Sequence, residues 1–285
     1  MTNFVGVVYH PKREDAREVA RQAAEIIGRQ GANVVTLPAW DDEAILAALP
    51  GWQLVVTCGG DGTILRTTRL AAPSGVPQLG INVGRLGFLA ELKPEEMADK
   101  LPLYLKGEYW LEQRSMVRAT LWLANGQATL AADIAASPGQ QFDALNEVLL
   151  TRSGLPRVIR VKVAIDGVTY TTLVGDGVML ATPTGSTAYS LAAGGPVVSP
   201  QVADLILTAV CPHPVRSVPL VLPPTSKVTL QIVGAQPAML SIDGQVDIAV
   251  GASDLIEVSA SPFVARFVRA RSPGYFYELI GRTLR

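Results

Sequence analysis

Short apolar runs alternate with amphipathic segments over the first part of the chain. "FVGVVY" at 4–9 is rich in β-branched and aromatic residues and predicts a strand, whereas "DAREVARQAAEIIGRQG" at 15–31 repeats its apolar residues at helical spacing. "ANVVTL" and "QLVVTC" predict two further strands, and "DDEAILAAL" and "GTILRTTRLAA" predict two further helices. Strands and helices that alternate in this way form parallel sheets built from βαβ units. The pattern therefore predicts a Rossmann-like α/β domain over residues 1–106.

The pattern of apolar positions changes near residue 107. Segments such as "RVIRVKVAID" and "MLSIDGQVDIAV" have strand character and are separated by Gly, Pro, Asn or Asp. Many short strands with turn residues between them are typical of antiparallel sandwiches. We therefore predict an all-β, sandwich-like domain over residues 107–267.

A few segments depart from this division. "GSTAYSLAAGG" at 185–195 and "QVADLILTAV" at 201–210 predict helices inside the β domain, and the Ala, Ser, Gly and Gln residues of 131–141 predict a loop. "GYFYELIGRTLR" at 274–285 predicts a terminal helix. Residues 268–285 are expected to return to the first domain and complete it.

Composition narrows the classes of function. With 24 basic and 25 acidic residues the formal net charge is -1, so the chain has no electrostatic footprint for nucleic acid or an anionic membrane. No leader pattern and no apolar run of membrane-spanning length is present, which predicts a soluble, cytoplasmic protein. The two cysteines, Cys58 and Cys211, match no disulfide framework and are expected to be reduced thiols.

Three glycines surround one carboxylate directly after the third predicted strand, in "TCGGDGTILR" at 57–66. Gly59, Gly60 and Gly62 let backbone N–H groups approach an anion, and the helix that follows adds its positive dipole end. Phosphate is the anion that such loops usually hold. Asp61 would repel it unless the carboxylate binds a metal, accepts a proton from an attacking hydroxyl, or does both. The alternative is that Asp61 is only a turn residue and helix cap.

Other phosphate-binding and hydrolase motifs are missing. The sequence contains no G-x-x-x-x-G-K-[ST], no G-x-G-x-x-G, no G-x-S-x-G and no H-E-x-x-H. This favours a kinase that is neither a P-loop enzyme nor similar to a protein kinase.

Six motifs follow one another in order along most of the chain. They are "GGDGT" at 59–63, "GINVGRLGFLAEL" at 80–92, "ALNEVLL" at 144–150, "DGVMLATPTGSTAYSLAAGGPVVSP" at 176–200, "CPH" at 211–213 and "SIDGQ" at 241–245. Together they resemble the bacterial NAD kinase family. The first motif is shared with lipid kinases and, loosely, with phosphofructokinases, so the others make the match specific. The resemblance implies transfer of a phosphoryl group from ATP, or from polyphosphate, to the 2'-hydroxyl of the adenosine ribose of NAD. It also implies Mg²⁺ or another divalent cation, whose ligands are not predicted.

The resemblance also assigns roles to residues. Asp61 is the general base, Asn146 and Glu147 hold the adenosine part of NAD, and Asp176 contacts the nicotinamide side. The full predicted binding set is Gly59, Gly60, Gly62, Thr63, Arg66, Phe88, Asn146, Glu147, Arg157, Val174, Asp176, Thr187, Ala188, Tyr189, Ser190, Leu191, Ala192, Asp243 and Gln245.

For several of these residues a plainer interpretation stays open. Asn146 and Glu147 also suit a β-bulge or a strand end, the segment around Thr187 suits a capped helix, and Asp243 suits a hairpin turn. Arg66 and Arg85 are candidate phosphate cations that could equally be surface charges, and Phe88 could be a core residue.

Two apolar positions depart from the family pattern. Val174 and Val83 stand where many bacterial members have a basic or polar residue. Acceptance of NADH therefore stays open, as does the choice between ATP and polyphosphate. Arg157 matches a position that reaches NAD across a subunit interface in some members, and a homodimer or homotetramer is expected. The alternatives are a related lipid or sugar kinase and a non-catalytic NAD-binding sensor.

Overall fold

The computed structural model describes residues 4–84, 87–123, 139–154, 157–213 and 217–283. The chain divides into two compact units, an α/β unit of Met1–Arg114 with Phe263–Arg285 and a β unit of Ser115–Pro262. Two long strands, β5 at Trp110–Trp122 and β16 at Leu255–Arg269, contain the points at which the chain passes from one unit to the other.

The α/β unit is built on a parallel sheet. Its helices and strands are β1 Phe4–Tyr9, α1 Glu14–Arg29, β2 Asn33–Pro38, α2 Asp42–Ala48, β3 Trp52–Gly59, α3 Asp61–Ala71, β4 Gln78–Asn82, α4 Met97–Leu105 and a terminal α6 Tyr275–Thr283. The strands lie in the order β2, β1, β3, β4, and the end of β16 pairs in parallel with β4 through Phe267 and Gln78. The predicted terminal helix is therefore present.

Apolar spacing explains how α1 packs. Ala16, Val19, Ala20, Ala23 and Ile27 recur every three or four residues and are all buried. They join a core cluster that also contains apolar residues of β1, β3 and β4. Burial of this stripe holds the helix against the sheet.

The β unit contains β6 Gln140–Ala144, β7 Glu147–Arg152, β8 Ile159–Ile165, β9 Val168–Gly175, β10 Gly177–Ala181, α5 Tyr189–Ala192, β11 Leu205–Val210, β12 Leu220–Leu222, β13 Val228–Ile232, β14 Ala238–Ile242 and β15 Val246–Val250. Six of these strands form a sheet in the order β12, β11, β10, β7, β14, β15, in which every pairing is antiparallel. Strands β8, β9, β13 and the first part of β16 also pair antiparallel, as do β5 and β6. One apolar cluster joins these strands into an antiparallel sandwich, which confirms the predicted fold class.

Two predictions inside the β unit are corrected. Residues 201–210 do not form a helix, because 205–210 is strand β11 and all six of its residues are buried. A strand buried on both faces reads as a continuous apolar run and cannot be told from a helix by periodicity. The segment 185–195 is not one helix, since a 3₁₀ turn at Gly185–Thr187 is separated from α5 by Ala188 at φ -98° and ψ -130°. Most of the predicted loop at 131–141 lies outside the described residues.

Both cysteines are free thiols, as the sequence predicted. Within the described ranges, no helix combines the length and the hydropathy that a membrane span requires.

Burial of β11 on both faces can be tested by truncation. Leu205 and Ile206 point to opposite faces of the strand and are both fully buried. We expect Leu205→Ala and Ile206→Ala each to lower the free energy of unfolding by about 2–5 kcal/mol, measured by urea denaturation. Val221→Ala on β12, where the side chain is 52% exposed, is the control and should cost less than about 1 kcal/mol. A large cost at one of the two positions only would contradict a two-sided strand.

Candidate functional site

The glycine loop lies at the carboxyl end of β3, where open α/β sheets bind ligands. Strand β3 ends at Gly59 and α3 begins at Asp61, with Gly60 as its N-cap. A Cβ on Gly60 or Gly62 would meet no atom within 4 Å, whereas one on Gly59 would lie 2.5 Å from Oγ1 of Thr63. Gly59 is therefore needed for packing, while Gly60 and Gly62 leave space above the backbone.

The Asp61 carboxylate turns away from its own helix. Oδ2 accepts a hydrogen bond from the backbone N–H of Phe88 at 2.9 Å, and Oδ1 accepts a longer one from Leu89 at 3.4 Å. No side chain caps α3, so Asp61 is not a helix cap. Within its loop the carboxylate has only glycines beside it, and the tertiary structure supplies its partners from a segment 27 residues further along the chain.

Opposing effects act on the pKa of Asp61. Burial raises it, and this is the largest effect; the two backbone hydrogen bonds and the charges of Arg114 and Arg269 lower it. The net shift is upward. A carboxylate with a raised pKa is a stronger proton acceptor than an ordinary surface aspartate.

Gly87 is a site residue that the sequence analysis missed. A Cβ there would lie 2.1 Å from Oδ2 of Asp61, so no larger residue fits while the carboxylate holds this position. Phe88, which the sequence placed in the binding set, contacts Asp61 through its backbone N–H. The glycine was visible in "GRLGFLAEL", but nothing local indicated which side chain it made room for.

Arg66 is engaged elsewhere in the α/β unit. Its guanidinium makes a bidentate ion pair with Asp42, with Nη2 at 2.7 and 2.8 Å from the two oxygens, and donates to the carbonyl of Ala39. It also lies over the ring of Trp40 at 5.6 Å. These contacts would have to break before Arg66 could bind phosphate. Arg85, the other cation considered, lies outside the described residues.

In the β unit, Asp243 holds the start of β7. Its carboxylate accepts hydrogen bonds from the backbone N–H groups of Leu145, Asn146 and Glu147 at 2.9, 2.7 and 3.1 Å. Asp243 has a left-handed backbone, with φ at 52°, and belongs to the turn after β14. The structure thus brings Asp243 together with the predicted adenosine-binding pair.

Glu147 is the first residue of β7 and is 8% exposed. Burial, and then the neighbouring Asp243 carboxylate, raise the pKa of Glu147 to about 8. Among the described residues its Oε2 atom has no hydrogen-bond partner. At neutral pH the carboxyl is therefore mostly protonated and can donate a hydrogen bond to a ligand.

The segment that contains Thr187, Ala188 and Tyr189 is tied to Asn146. The Asn146 carbonyl accepts the N–H of Thr182 at 2.8 Å, and a Cβ on Gly185 would lie 2.1 Å from that carbonyl oxygen. Within the segment Thr187, Ala188 and Leu191 are half-buried, Ser190 is buried, and Tyr189 and Ala192 are exposed.

Asp176 lies at the other end of the same strands. Its carboxylate pairs with Nε of Arg152 at 2.8 Å, next to the pairing of Gly177 with Thr151, whereas Glu147 pairs with Ala181. Ala181, the strand partner of Glu147, lies five residues after Asp176, which corresponds to roughly 17 Å of extended chain.

Val174 pairs with Arg160 in the β8–β9 ladder, and Arg157 is exposed just before β8. Gln245 follows Asp243 in the turn and is half-buried, with its N–H bonded to the Ile242 carbonyl at 2.9 Å. The strand pairing of Val174 and the hydrogen bond from the Gln245 N–H are both within the β unit.

The described part of the chain offers no dedicated cage for a metal, because no group of three or more His, Cys, Asp or Glu side chains in it could hold an ion. Mg²⁺ is often bound through substrate phosphates instead.

A carboxylate on a glycine loop at the carboxyl end of a parallel sheet, in a chain completed by an antiparallel sandwich, defines a class of kinases outside the P-loop enzymes. The chain belongs to the NAD kinase family. Residues 39–109 match the ATP-NAD kinase N-terminal domain and residues 145–270 match the ATP-NAD kinase C-terminal domain. The predictions of family and of kinase activity are confirmed.

Relatives and solved structures agree with this assignment. An NAD kinase of Dehalococcoides mccartyi is 37% identical over 100% of this chain and 97% of the relative, and one of Chloroflexus aurantiacus is 35% identical over the full length of both. The fold is similar to that of yeast NADH kinase complexed with NADH, with a TM-score of 0.81 and 27% identity over 99% of this chain and 87% of the other. It is also similar to an NAD kinase from Archaeoglobus fulgidus in complex with ATP, with a TM-score of 0.78 and 26% identity over 98% of each chain.

The space at Gly87 can be tested by a single methyl group. Gly87→Ala must displace the Asp61 carboxylate, and a misplacement of about 1 Å can cost roughly 100-fold in rate. We expect a loss of kcat of that size with the circular dichroism spectrum retained. Gly281→Ala in α6, where a Cβ would meet no atom within 4 Å, is the matched control and should keep full activity. Wild-type kcat in Gly87→Ala would contradict the assigned role.

The raised pKa of Glu147 makes stability depend on pH. The folded chain keeps this proton up to about pH 8, whereas the unfolded chain loses it near 4.5, so the free energy of unfolding falls as pH rises between these values. Between pH 6 and 8 we expect a fall from this group of about 2 kcal/mol, which Glu147→Gln removes. Urea denaturation of both proteins at the two pH values measures the difference. Equal pH dependence in the two proteins would contradict the raised pKa.

Proposed function

We propose that this NAD kinase transfers the γ-phosphoryl group of ATP to the 2'-hydroxyl of the adenosine ribose of NAD, with Asp61 as the general base. The observation that carries the proposal is the carboxylate of Asp61 on the glycine loop, held by two backbone N–H groups and close to space left by Gly60 and Gly62. The NADH and ATP complexes of the two structural relatives support a dinucleotide and a nucleotide triphosphate as substrates.

The donor phosphates would lie over the glycine loop. There the N-terminus of α3, with Gly60 as its N-cap, presents positive charge. A divalent cation that enters with the nucleotide would neutralise further phosphate charge. Polyphosphate presents the same anionic groups, so it is an alternative donor that the loop does not discriminate against.

In the transfer step the 2'-oxygen attacks the γ-phosphorus as the bond to the bridging oxygen of ADP breaks. The hydroxyl proton passes to the Asp61 carboxylate and later to solvent. Because phosphoryl transfer depends mainly on positioning and charge stabilisation, Asp61 would first orient the hydroxyl and accept its proton late. Its hydrogen bonds to Phe88 and Leu89 leave the carboxylate few alternative orientations.

The β unit would recognise NAD. Asn146 and the protonated Glu147 can bond to the purine edge and the ribose hydroxyls, with Asp243 setting the position of both through their backbone. The segment of Thr187, Ala188 and Tyr189 would line the same pocket, and Asp176 would meet the nicotinamide side. Asp243 itself would support these binding residues, because its carboxylate already accepts the N–H groups of residues 145–147.

We further infer a cytoplasmic homodimer or homotetramer in which Arg157 reaches NAD bound to a neighbouring subunit. The exposure of Arg157 is compatible with such a contact. Light scattering of the purified protein tests the oligomeric state.

Asp61→Asn tests the general base. The amide keeps the size of the side chain but cannot accept the proton, so we expect kcat to fall by roughly 10² to 10⁴ while NAD affinity changes little. Purified protein is incubated with Mg²⁺, NAD and either ATP or polyphosphate, and NADP is detected with an NADP-specific dehydrogenase. Retained turnover in Asp61→Asn would remove Asp61 from this role. If the wild-type protein forms no NADP with either donor, the proposed reaction is wrong.

A further inference from the structure

Four charged side chains are buried together in the α/β unit, near Asp61. Glu91 is 2%, Arg114 5%, Arg269 7% and Glu112 8% exposed. Arg114 and Arg269 are the charged side chains that act on the pKa of Asp61. The proposed transfer step uses none of these four residues directly.

We propose that Arg269 is a positioning residue for Asp61, because it fixes the backbone of Leu89 and thereby the two N–H groups that hold the catalytic carboxylate. This inference rests on the proposed function of Asp61. It assigns Arg269, which lies outside the six family motifs, to the machinery of the reaction.

Leu89 connects Arg269 to the Asp61 carboxylate. Nη1 of Arg269 donates to the carbonyl of Leu89 at 2.9 Å, and the N–H of Leu89 donates to Asp61 at 3.4 Å. The carbonyl and the N–H belong to the two peptide planes on either side of the Leu89 α-carbon. Holding one plane therefore restricts the direction in which the other, and the neighbouring N–H of Phe88, can point.

The guanidinium of Arg269 is itself held in place. Nε donates to Oε2 of Glu112 at 2.8 Å, and Glu112 also pairs with Arg114 at 3.0 Å. The guanidinium lies over the ring of Phe267 at 5.1 Å. A planar fork with donors on two edges can bond Leu89 and Glu112 at once, which a lysine ammonium cannot do in the same geometry.

The side chain of Glu91 makes a second connection between residues 88–91 and the segment at the end of β16. Its Oε1 accepts the backbone N–H groups of Ala270 and Arg271, each at 3.1 Å, and the hydroxyl of Tyr104 at 3.2 Å. The stretch 88–91 is thus joined to residues 269–271 in two ways. The side chain of Arg269 bonds to Leu89, and the side chain of Glu91 bonds to the backbone of Ala270 and Arg271. Movement of one segment would move the other.

Stability alone explains this cluster poorly. Desolvation of buried ion pairs often costs as much as their attraction returns, and apolar replacements are frequently as stable. The positive charges of Arg114 and Arg269 have a use at this place, because they favour the ionised form of the half-buried Asp61. Arg269 therefore supplies both geometry and charge to the same carboxylate.

Two substitutions separate geometry from charge. Arg269→Lys keeps the charge but loses the planar guanidinium. We therefore expect kcat to fall about 10-fold or more, while the midpoint of the acid limb of the pH–kcat profile does not change. Arg269→Met loses both, so kcat should fall further and the midpoint of the acid limb should move to higher pH. KM for NAD should change little in either variant, because Arg269 does not meet NAD in the proposed site.

A readout that does not need turnover accompanies the kinetics. The carboxyl carbon of Asp61, assigned by comparison with Asp61→Asn in protein labelled at aspartate, is titrated by NMR without substrate. The midpoint should rise in Arg269→Met and stay near the wild-type value in Arg269→Lys. If the wild-type protein forms no NADP, the proposed function fails, and this titration still decides whether Arg269 acts on Asp61.

Arg266→Ala is the matched control. Arg266 lies three residues earlier on β16, is exposed, and donates from Nη1 to the carbonyl of Gly75 at 3.3 Å. The variant should keep wild-type kcat and the wild-type pH profile. Folded Arg269→Lys with wild-type kcat would overturn the proposal, and so would a folded Arg269→Met with an unchanged carboxyl titration. If Arg269→Met does not fold, the kcat of Arg269→Lys alone decides between the two outcomes.

Discussion

A half-buried carboxylate, Asp61, which we propose as the general base, sets the constraint that its surroundings in the α/β unit must meet. Burial disfavours the charged form of Asp61, so the surrounding structure has to supply hydrogen-bond donors and positive charge. It does so with the N–H groups of Phe88 and Leu89 and with two buried guanidinium groups. Gly87 follows from the same constraint, because the carboxylate occupies the space that a side chain there would need.

The β unit uses a carboxylate and backbone N–H groups for a different purpose. In the α/β unit the backbone holds the side chain that is proposed to react, whereas Asp243 is the side chain that holds the backbone of residues 145–147. The consequence for Glu147 is electrostatic. Burial, and then the neighbouring Asp243 carboxylate, raise the pKa of Glu147, so the side chain keeps its proton at neutral pH. Asp243 and Glu147 thus have different tasks: Asp243 holds the backbone of residues 145–147, and Glu147 is proposed to donate a hydrogen bond to NAD.

Local sequence patterns predicted the α/β unit, the sandwich and the terminal helix, because apolar periodicity reports which face of an element is buried. The prediction was wrong at 205–210, where burial on both faces removes the periodic signal, and at 185–195, where Ala188 has a non-helical backbone and separates a 3₁₀ turn from α5. Gly87 and Arg269 could not be assigned from pattern, since their partners lie more than twenty residues away in the chain.

The sequence by itself determined the order of the elements, the position of the glycine loop at the end of β3 and, through six motifs, the family. Those features depend on residue types at short spacing. Only the tertiary structure decided what the Asp61 carboxylate contacts, that Arg66 is engaged by Asp42, and that Asp243 supports residues 145–147. These contacts join segments far apart in sequence, and burial and hydrogen-bond geometry exist only once the chain has brought those segments together.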